Sequence, residues 1–384
     1  MKKTIAVFFG GRSPEHDISI ITALSAVIKP LELSGKYAVV PVYITKTGEW
    51  VSDSSLRDIK TYQSGKITEL VKKAKPVAAV FGEPFGLQIG RKFVPIDVAF
   101  PATHGAYGED GSLMGLLRMA NIPFVGSDMD ASVIAMDKVL AKQVAVANNI
   151  PTSVFVTTTR RDVLESVQDV AKTAQATLKF PLYVKPAHLG SSIGITRTTN
   201  AKELENALEV AAFYDEKIIV EEAVQNLIEV TVPIIGNDVL EPGLVERPLN
   251  TSDSEGFFDF TTKYINGGGK KGGQKNAGAQ GYSELPAVLA EGLYDASIAV
   301  AESVYRAIGA SGIARVDLLI DSETKQVYFN EVNPLPGSLY AHNWRAAGVS
   351  GVQLVDKLIT FAEERFEIKK QLTTSFDSNF LQQF

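Results

Sequence analysis

Two short strings near the C-terminal end combine carboxylates, an amide and a guanidinium: Ala-Arg-Val-Asp, ending at Asp317, and Asn-Glu-Val-Asn, ending at Asn333. Strand side chains alternate between two faces, so Arg315 shares a face with Asp317, and Glu331 shares one with Asn333. An antiparallel hairpin centred on Thr324 places Asp317 opposite Glu331 and Arg315 opposite Asn333. The spacing therefore predicts that all four polar groups lie together.

Adjacent carboxylate and amide oxygens are hard ligands that suit Mg²⁺ shared with substrate phosphates. We therefore predict Asp317, Glu331 and Asn333 as metal ligands, with Arg315 facing an anionic transition state. The alternative is an exposed hairpin carrying ordinary surface charges. The bulky apolar residues between the two strings favour a buried sheet, in which charges need a partner such as a metal.

A glycine- and serine-rich turn, Gly-Ser-Ser-Ile-Gly, follows the strand that ends in Lys185-Pro186. Glycines let backbone N–H groups approach a ligand, Ser191 and Ser192 add hydroxyl donors, and Lys185 adds a cation, which together suit an anion. The string is neither a P-loop nor a dinucleotide fingerprint. The alternative is an ordinary tight turn.

Two loops that follow strands carry candidate substrate contacts. Glu15 lies between the first strand and a helix, and is suited to a substrate ammonium; His104 follows a later strand, and is suited to a carboxylate. Asp17 is expected to be a helix-cap or first-turn acid. Four further charged residues, taken one at a time, are more readily explained as ordinary solvated side chains than as functional residues: Lys138, Glu221, Glu222 and Glu229.

The composition is that of an ordinary globular protein: 384 residues, 45% apolar and 21% charged, with a net charge of −6. That charge gives no reason to expect nucleic acid or an acidic membrane as a partner. The chain has no cysteine, which excludes disulfide and thiolate chemistry. Its N-terminal apolar run is short and leads into glycines, so we expect a buried strand and a cytoplasmic protein.

The first third alternates apolar strands with helical periodicity, which predicts an α/β parallel sheet. Its expected strands are 5–9, 39–44, 77–81, 98–103 and 123–126, and its expected helices are 19–33, 67–73 and 113–121. Later strands are expected at 153–156, 182–185, 217–222 and 229–235, with helices at 138–148, 162–173, 201–212, 286–308 and 352–366.

Residues 263–281 are basic and contain seven glycines from Gly267 to Gly281. Such a segment cannot bury enough apolar surface to fold alone. It can be a flexible linker, or a mobile basic lid that closes over phosphates and excludes water.

Taken together, nine strings resemble the D-alanine–D-alanine ligase family of ATP-grasp enzymes, in the family's order from about residue 4 to residue 366. They are the 10–19 loop, the 104–111 loop, Met136-Asp137-Lys138 with Lys142, 184–194, Val220-Glu221-Glu222, Glu229, Lys263-Tyr264, 314–317 and 330–337.

The resemblance implies a role for each matching residue. ATP would be bound by Lys138, Lys185, Ser192, Glu221, Glu222, Val224, Glu229 and the lid residue Lys263. Asp317, Glu331 and Asn333 would hold two Mg²⁺ ions, for which Mn²⁺ can substitute, and Arg315 would steady a tetrahedral intermediate. Glu15 would hold the first substrate's ammonium in a hydrogen-bonded set with Ser191 and Tyr264; His104, Gly337 and Ser338 would contact substrates.

The implied architecture is a Rossmann-like substrate domain (1–136), a central ATP-grasp lobe (137–222) and a C-terminal lobe (223–384) with the lid at 261–283. The implied reaction makes D-alanyl-D-alanine for peptidoglycan synthesis through an acyl phosphate, and the implied assembly is a homodimer. The family's string after Pro336-Gly337 is four residues longer, so another acceptor (D-serine, D-lactate or another amine) is the alternative. A third reading is a nucleotide-binding regulatory protein without catalysis.

Overall fold

The computed structural model describes residues 2–190, 192–249, 283–373 and 378–383. The strands are β1 (Lys3–Gly10), β2 (Tyr37–Ile44), β3 (Trp50–Ser52), β4 (Lys75–Val80), β5 (Gly86–Ile89), β6 (Lys92–Pro95), β7 (Val98–Pro101), β8 (Phe155–Thr159), β9 (Leu182–Pro186), β10 (Thr196–Thr198), β11 (Lys217–Glu222), β12 (Leu227–Gly236), β13 (Leu240–Pro242), β14 (Arg247–Pro248), β15 (Ser283–Glu284), β16 (Gly312–Asp321) and β17 (Gln326–Asn333).

The α-helices are α1 (His16–Ile21), α2 (Lys29–Ser34), α3 (Ile59–Gln63), α4 (Ile67–Lys73), α5 (Ser112–Met119), α6 (Met129–Met136), α7 (Lys138–Ala147), α8 (Arg160–Thr177), α9 (Ala201–Tyr214), α10 (Leu293–Ala307), α11 (Ala341–Ala346) and α12 (Gly351–Lys370). A π-helical stretch, Thr22–Ile28, joins α1 to α2, so one helical run spans the region where the sequence predicts a helix at 19–33. In the described part of the chain, no helix is both long and apolar enough to cross a bilayer.

The N-terminal sheet has seven strands in the order β6-β5-β4-β3-β2-β1-β7. The predicted parallel arrangement is found where β1 pairs with β2 and with β7, and the four outer strands are antiparallel. The expected strand at 123–126 is wrong, because this segment makes only an isolated bridge from Phe124 to Ala99.

Two four-stranded antiparallel sheets follow, in the orders β10-β9-β11-β8 and β13-β12-β16-β17. α8 and α9 pack together against the first of them, and α10 packs against the second. The expected helix at 286–308 begins only at Leu293. Gly292 precedes it with a φ of 81°, a left-handed conformation that does not continue a helix.

The buried cores combine residues that are far apart in the chain. Leu354, Leu358 and Ile359 of α12 share a core with strand and helix residues of the first forty. Ala141 and Ala145 of α7 belong to the core under β12, β16 and β17. The N-terminal sheet is therefore locked to the last helix, and the last sheet to a helix from the middle of the chain.

The hairpin register agrees with the prediction at the end that carries the predicted polar residues. Asp317 pairs with Glu331 and Arg315 pairs with Asn333. A β-bulge follows, since the next pair is Leu318 with Phe329. Asn330 is therefore the extra residue of β17, and strict alternation of side chains fails at this point.

Candidate active site

A cavity of about 390 Å³ lies where the three larger sheets meet, and residues of each part of the chain line it. We call its two ends the strand end and the loop end. The strand end consists of Arg315, Asp317, Glu331 and Asn333 on β16 and β17. The loop end consists of Ser338, Tyr340, His342 and the facing Glu246.

At the strand end, Arg315 grips Asp317 with two hydrogen bonds: Nε donates to Oδ1 at 2.7 Å and Nη2 donates to Oδ2 at 2.6 Å. Asn333 Nδ2 lies 3.3 Å from Asp317 Oδ2. Burial opposes a charge on the guanidinium, but the Asp317 carboxylate and its hydrogen bonds outweigh burial and raise the pKa of Arg315. Arg315 is thus a permanent cation held over the acids.

Beneath the cavity, a buried carboxylate forms ion pairs with two lysines. Glu221 Oε2 lies 2.6 Å from Lys142 Nζ, and Glu221 Oε1 pairs with Lys185 Nζ. Burial opposes ionisation, but the two lysine charges outweigh it and lower the pKa of Glu221. Lys185 also donates to Asn330 Oδ1 at 3.2 Å, and lines the cavity. Glu221 therefore fixes Lys185 in place.

Lys138 connects the start of α7 to both neighbouring elements. Its Nζ donates to the Leu189 carbonyl oxygen at 2.7 Å and lies 3.4 Å from Glu331 Oε2. The residue is 8% exposed. A cation is thus positioned between the glycine-rich turn and the acidic hairpin.

The glycine-rich turn lies against the first loop of the chain. A Cβ placed on Gly190 would lie 3.3 Å from Glu15 Oε2, and one on Gly105 would lie 3.0 Å from the same atom. A side chain at either glycine would therefore crowd the Glu15 carboxylate and require it to shift. Ser192, in the turn, adopts a left-handed φ of 59° and lines the cavity.

A charged cluster supports the base of that turn. His188 Nδ1 lies 3.0 Å from Asp215 Oδ1, and His188 Nε2 lies 3.3 Å from Asp137 Oδ2. Asp137 also caps α7 by accepting from Val139 N at 2.9 Å, and pairs with Lys217. Hydrogen bonds to the two aspartates raise the pKa of His188 to about 9. The imidazole is thus held as a cation at neutral pH.

His104 is buried, and is tied to the loop end by one hydroxyl. Thr22 Oγ1 lies 2.8 Å from His104 Nε2 and also accepts from Ser338 N at 2.8 Å. Thr22 lies at the start of the π-helical stretch. The predicted contacts for the first and second substrates are therefore joined through a residue that sequence reasoning did not select.

The short segment after Gly337 has an unusual backbone. Ser338, Leu339 and Tyr340 have φ values of 50°, 51° and 54°, which makes one left-handed turn of three non-glycine residues. Such conformations are unfavourable for L-residues and survive only where the surroundings hold them. Leu339 is fully buried, and Tyr340 OH lies 2.8 Å from Thr231 Oγ1.

Beyond this turn, a histidine faces a buried acid. His342 Nε2 lies 2.7 Å from Glu246 Oε2, and the His342 ring lies 4.6 Å from the Tyr340 ring. The Tyr340 ring in turn lies 5.4 Å from the Arg315 guanidinium. Burial opposes ionisation of Glu246, but the hydrogen bond and charge of His342 lower its pKa. The loop end is thus linked to the strand end through one aromatic ring.

Eleven residues predicted from the sequence line this cavity: Glu15, His104, Lys185, Ser192, Glu229, Arg315, Asp317, Glu331, Asn333, Gly337 and Ser338. Lys138 and Glu221 lie just behind it. Glu222 and Val224 do not line it, and Glu222 Oε1 instead accepts from Lys179 N at 2.8 Å. Ser191, Lys263 and Tyr264 lie outside the described residues, as does most of the proposed lid.

Several residues that shape the site were given no role from the sequence, although Asn330 and Lys142 lie within the strings quoted above. Asn330 is in the acidic string, but alternation assigns it to the face opposite Glu331, and only the bulge explains why both line the cavity. Lys142 follows Lys138 by four residues, a helical spacing that could have suggested a second buried cation. Nothing in the sequence pointed to Thr22 or Glu246, because their partners are distant along the chain.

Comparison with known proteins agrees with this geometry. Residues 4–127 match the family model described as D-ala D-ala ligase N-terminus, and residues 144–360 match the one for its C-terminus. D-alanine–D-alanine ligases from Chloroherpeton thalassium and Chlorobium limicola are 35% and 36% identical to the chain. These alignments cover 96% and 95% of the chain, and 98% of each relative.

Solved structures give the same result. The D-alanine–D-alanine ligase of Coxiella burnetii superimposes with a TM-score of 0.80 at 26% identity, over 96% of each chain. The VanG D-Ala:D-Ser ligase of Enterococcus faecalis has a TM-score of 0.78 at 32% identity, over 94% of this chain and all of that one. The fold and site therefore define an ATP-dependent carboxylate–amine ligase. The chain belongs to the D-alanine–D-alanine ligase family, which serves peptidoglycan precursor synthesis.

Proposed function

We propose that this protein joins two D-alanine molecules at the expense of ATP, through a D-alanyl phosphate. The observation that carries the proposal is that Arg315, Asp317 and Glu331 face the same cavity as Glu15 and His104. Activation of a carboxylate and recognition of an amino acid can therefore occur side by side. Curated relatives named as D-alanine–D-alanine ligases along nearly the whole chain support the same acceptor.

Magnesium fits the strand end on the chemistry of its donors. Asp317, Glu331 and Asn333 offer hard oxygens, and a shell completed by phosphates and water suits Mg²⁺. In the described part of the chain, no cluster of three or more acidic or histidine ligands occurs, so phosphates would have to supply the remaining ligands. When bound, two Mg²⁺ ions would neutralise charge on the transferred phosphoryl group; Mn²⁺ can take their place.

The cations around the cavity are suited to the phosphates of ATP. Lys185 is fixed by Glu221 and Asn330, and Lys138 lies beside the glycine-rich turn. Fixed cations stabilise a phosphoryl transition state without reorganisation at the moment of reaction. Glu229 lines the same cavity, and we assign it to the ribose. Ser192 would add a hydroxyl donor, and Lys263 of the lid would reach the terminal phosphate.

The first D-alanine would bind through both of its charged ends. We assign its ammonium to Glu15, in a set with Ser191 and Tyr264, and its carboxylate to the neighbourhood of His104. The carboxylate attacks the terminal phosphorus of ATP; ADP leaves, and the resulting acyl phosphate carries a good leaving group. Closure of the segment at 261–283 would keep water from this reactive species.

The second substrate would enter at the loop end, beside Gly337 and Ser338. Its amine attacks the acyl carbon, and the developing negative charge on oxygen meets the Arg315 guanidinium. Bond cleavage then releases inorganic phosphate and the dipeptide. The D-alanine–D-alanine ligases of Chloroherpeton thalassium and Chlorobium limicola favour D-alanine as this acceptor, so the alternative acceptors raised by the shortened loop are not favoured.

Three broader assignments accompany this proposal. The units 1–136, 137–222 and 223–384 would correspond to the substrate domain and the two ATP-grasp lobes, although α12 and α7 share cores across these boundaries. We also propose a homodimer, by analogy with the family, and action in the cytoplasm, where ATP and D-alanine are available. Neither nucleic acid nor a membrane is a proposed partner.

Phosphate release with ATP, Mg²⁺ and D-alanine tests the proposal, with the product identified by mass. We expect ADP, phosphate and D-alanyl-D-alanine in equal amounts, and no ATP turnover with L-alanine. A panel of D-serine, D-lactate and other amines tests the acceptor. ATP turnover that does not depend on D-alanine, or a preference for another acceptor, would contradict the proposal.

A further inference from the structure

The loop end contains an imidazole and a carboxylate that the reaction described above does not use. Glu246 is 5% exposed, and Asn343 Nδ2 lies 3.4 Å from its Oε2. Asn343 also bonds both Leu244 N and Leu244 O, so the backbone before Glu246 is clamped. A buried, ionised carboxylate needs donors, and His342 Nε2 donates to Glu246 together with the side chains of Ser283 and Asn343.

The contact with Glu246 determines which ring nitrogen of His342 carries the hydrogen. An ionised carboxylate can only accept, so Nε2 must carry hydrogen and donate to Glu246. In a neutral imidazole the lone pair is then on Nδ1. No hydrogen bond from Nδ1 to another described residue is found, and the residue lines the cavity. The acid orients the ring and fixes its tautomer, as in other paired general bases.

The acceptor must lose a proton before its amine can react, and the pair of His342 and Glu246 can accept one. Amino acids carry an ammonium at neutral pH, and an ammonium has no lone pair with which to attack a carbonyl. Thr231 ties the pair to the strand end: its backbone exchanges two hydrogen bonds with Glu246, and it pairs with Asp317 across β12 and β16. The pair is thus anchored beside the strand that carries Arg315.

We propose that His342, oriented by Glu246, is the general base for the acceptor. His342 Nδ1 takes one proton from the acceptor ammonium, which leaves a neutral amine. The amine nitrogen bonds to the acyl carbon, and the bond from that carbon to the phosphate oxygen breaks, with its electron pair leaving on phosphate. The departing phosphate takes the second proton from nitrogen. This inference rests on the proposed function and assigns a residue to its second step.

Several ionisable groups lie around the imidazole of His342, and all of them bear on how the rate of dipeptide formation depends on pH. Glu246 contacts it directly, and the Tyr340 ring lies beside it at an interplanar angle of 56°; Arg315, which is hydrogen-bonded to Asp317, lies beyond the Tyr340 ring. Burial raises the pKa of Tyr340, so the phenol stays neutral. Among the described residues, Glu246 is therefore the charged group in hydrogen-bond contact with the imidazole.

The test compares two acceptors that differ in whether a proton must be removed. With ATP, Mg²⁺ and D-alanine, the full-length protein makes the dipeptide, and an excess of hydroxylamine diverts the same acyl phosphate to a hydroxamate. Hydroxylamine is uncharged at neutral pH and needs no base. His342→Gln should lower kcat for the dipeptide by about 10²-fold, the usual worth of a general base, and leave hydroxamate formation unchanged.

A second variant covers the case in which His342→Gln does not fold. Glu246→Gln keeps the shape and the hydrogen-bonding capacity, but removes the negative charge that faces the imidazole. It should lower kcat for the dipeptide by a smaller factor than His342→Gln does, and it should move the acidic limb of the pH profile of that kcat. In His342→Gln, this acidic limb should be absent. Glu241→Gln is the matched control, because Glu241 pairs with Lys357 and does not line the cavity.

The outcomes separate the two proposals. Equal losses with D-alanine and hydroxylamine, or a dipeptide pH profile identical to wild type in both variants, would overturn the role of His342 alone. Wild-type protein without D-alanine-dependent ATP turnover would overturn the proposed function and this inference with it. A loss confined to the charged amine, with the acidic limb absent, supports the inference.

Discussion

The two ends of the cavity are built on different principles. The strand end stands on β16 and β17, where backbone pairing sets Asp317 opposite Glu331 and Arg315 opposite Asn333. The loop end stands on three successive left-handed residues, Ser338 to Tyr340, held by contacts with distant parts of the chain. Regular pairing positions charged groups locally, whereas the loop end depends on its surroundings.

The difference suggests a division of labour. Under the proposed function, phosphoryl transfer would need dense, fixed charge, and a paired strand with buried lysines beneath it is suited to supply that charge. Recognition of the second substrate, which we propose for the loop end, would need a shape that can vary between enzymes, and loops tolerate such variation. Substitutions at the two ends should therefore fail in different ways.

The largest effect is expected beneath the strand end. Lys142→Met should destabilise the fold by about 3–5 kcal/mol, because it removes one partner of a buried ion pair and leaves Glu221 less compensated. Urea denaturation measures the loss. The control is Lys357→Met, whose partly exposed pair with Glu241 should be worth less than about 1 kcal/mol. Similar losses in both variants would contradict the structural importance of the buried network.

At the strand end itself, Arg315→Ala should lower kcat by about 10²–10³-fold, the typical loss when one group that stabilises an oxyanion is removed. ATP affinity, measured by calorimetry, should change little, because the interaction develops in the transition state. Arg306→Ala is the control, since Arg306 is on the exposed side of α10 and donates to Asp238 O. Unchanged turnover in Arg315→Ala would remove the residue from the mechanism.

A smaller effect is expected from Glu331→Gln. Loss of one proposed ligand should weaken Mg²⁺-dependent nucleotide binding by about tenfold or more, since even outer-shell changes reduce metal affinity that far. Titration calorimetry at several Mg²⁺ concentrations provides the measurement. Glu323→Gln in the exposed hairpin loop should behave like wild type. Equal affinity in wild type and Glu331→Gln would argue against the metal assignment.

The charged cluster below the glycine-rich turn predicts a pH effect. The pKa of His188 is raised from 6.5 to about 9, so its stabilisation is complete below pH 6.5 and is lost as pH rises through about 9. Because His188 is half exposed, we expect only about 1 kcal/mol. The stability difference between wild type and His188→Gln should shrink over this interval. A difference that stays constant with pH would contradict it.

The smallest effect is expected at the loop end. Ser338→Gly should raise stability by about 0.5–1 kcal/mol, because glycine adopts the left-handed conformation without the penalty of a Cβ. Ala341→Gly, three residues later at a φ of −59°, should lower it by a similar amount. Thermal unfolding compares the two variants. A loss of stability in Ser338→Gly would show that the left-handed turn carries no strain.

Much of the strand end could be predicted because its chemistry is local. Arg315, Asp317, Glu331 and Asn333 lie on two strands joined by a short loop, and alternation by two was enough to bring them together. Strand Lys217–Glu222 and helix Ile67–Lys73 were also predicted with the observed bounds. In each case the apolar pattern and the turn residues around it agree on one answer.

Other features required the folded chain. The bulge that brings Asn330 to Lys185 breaks the alternation on which the prediction relied. The expected strand at 123–126 did not form, since it finds only one bridge partner. The link from Thr22 to both His104 and Ser338 joins residues separated by more than 80 and 300 positions. No local pattern encodes such contacts.

The sequence by itself determined which groups could perform phosphoryl transfer and how the acidic hairpin pairs, because hydrogen-bonded strands impose a period of two on neighbouring residues. Tertiary structure alone decided the meeting of His342 with Glu246 and the left-handed turn before it. That contact joins segments 96 residues apart, and that backbone conformation is unfavourable in isolation. Packing of Leu339 and the hydroxyl of Thr231 hold it in place.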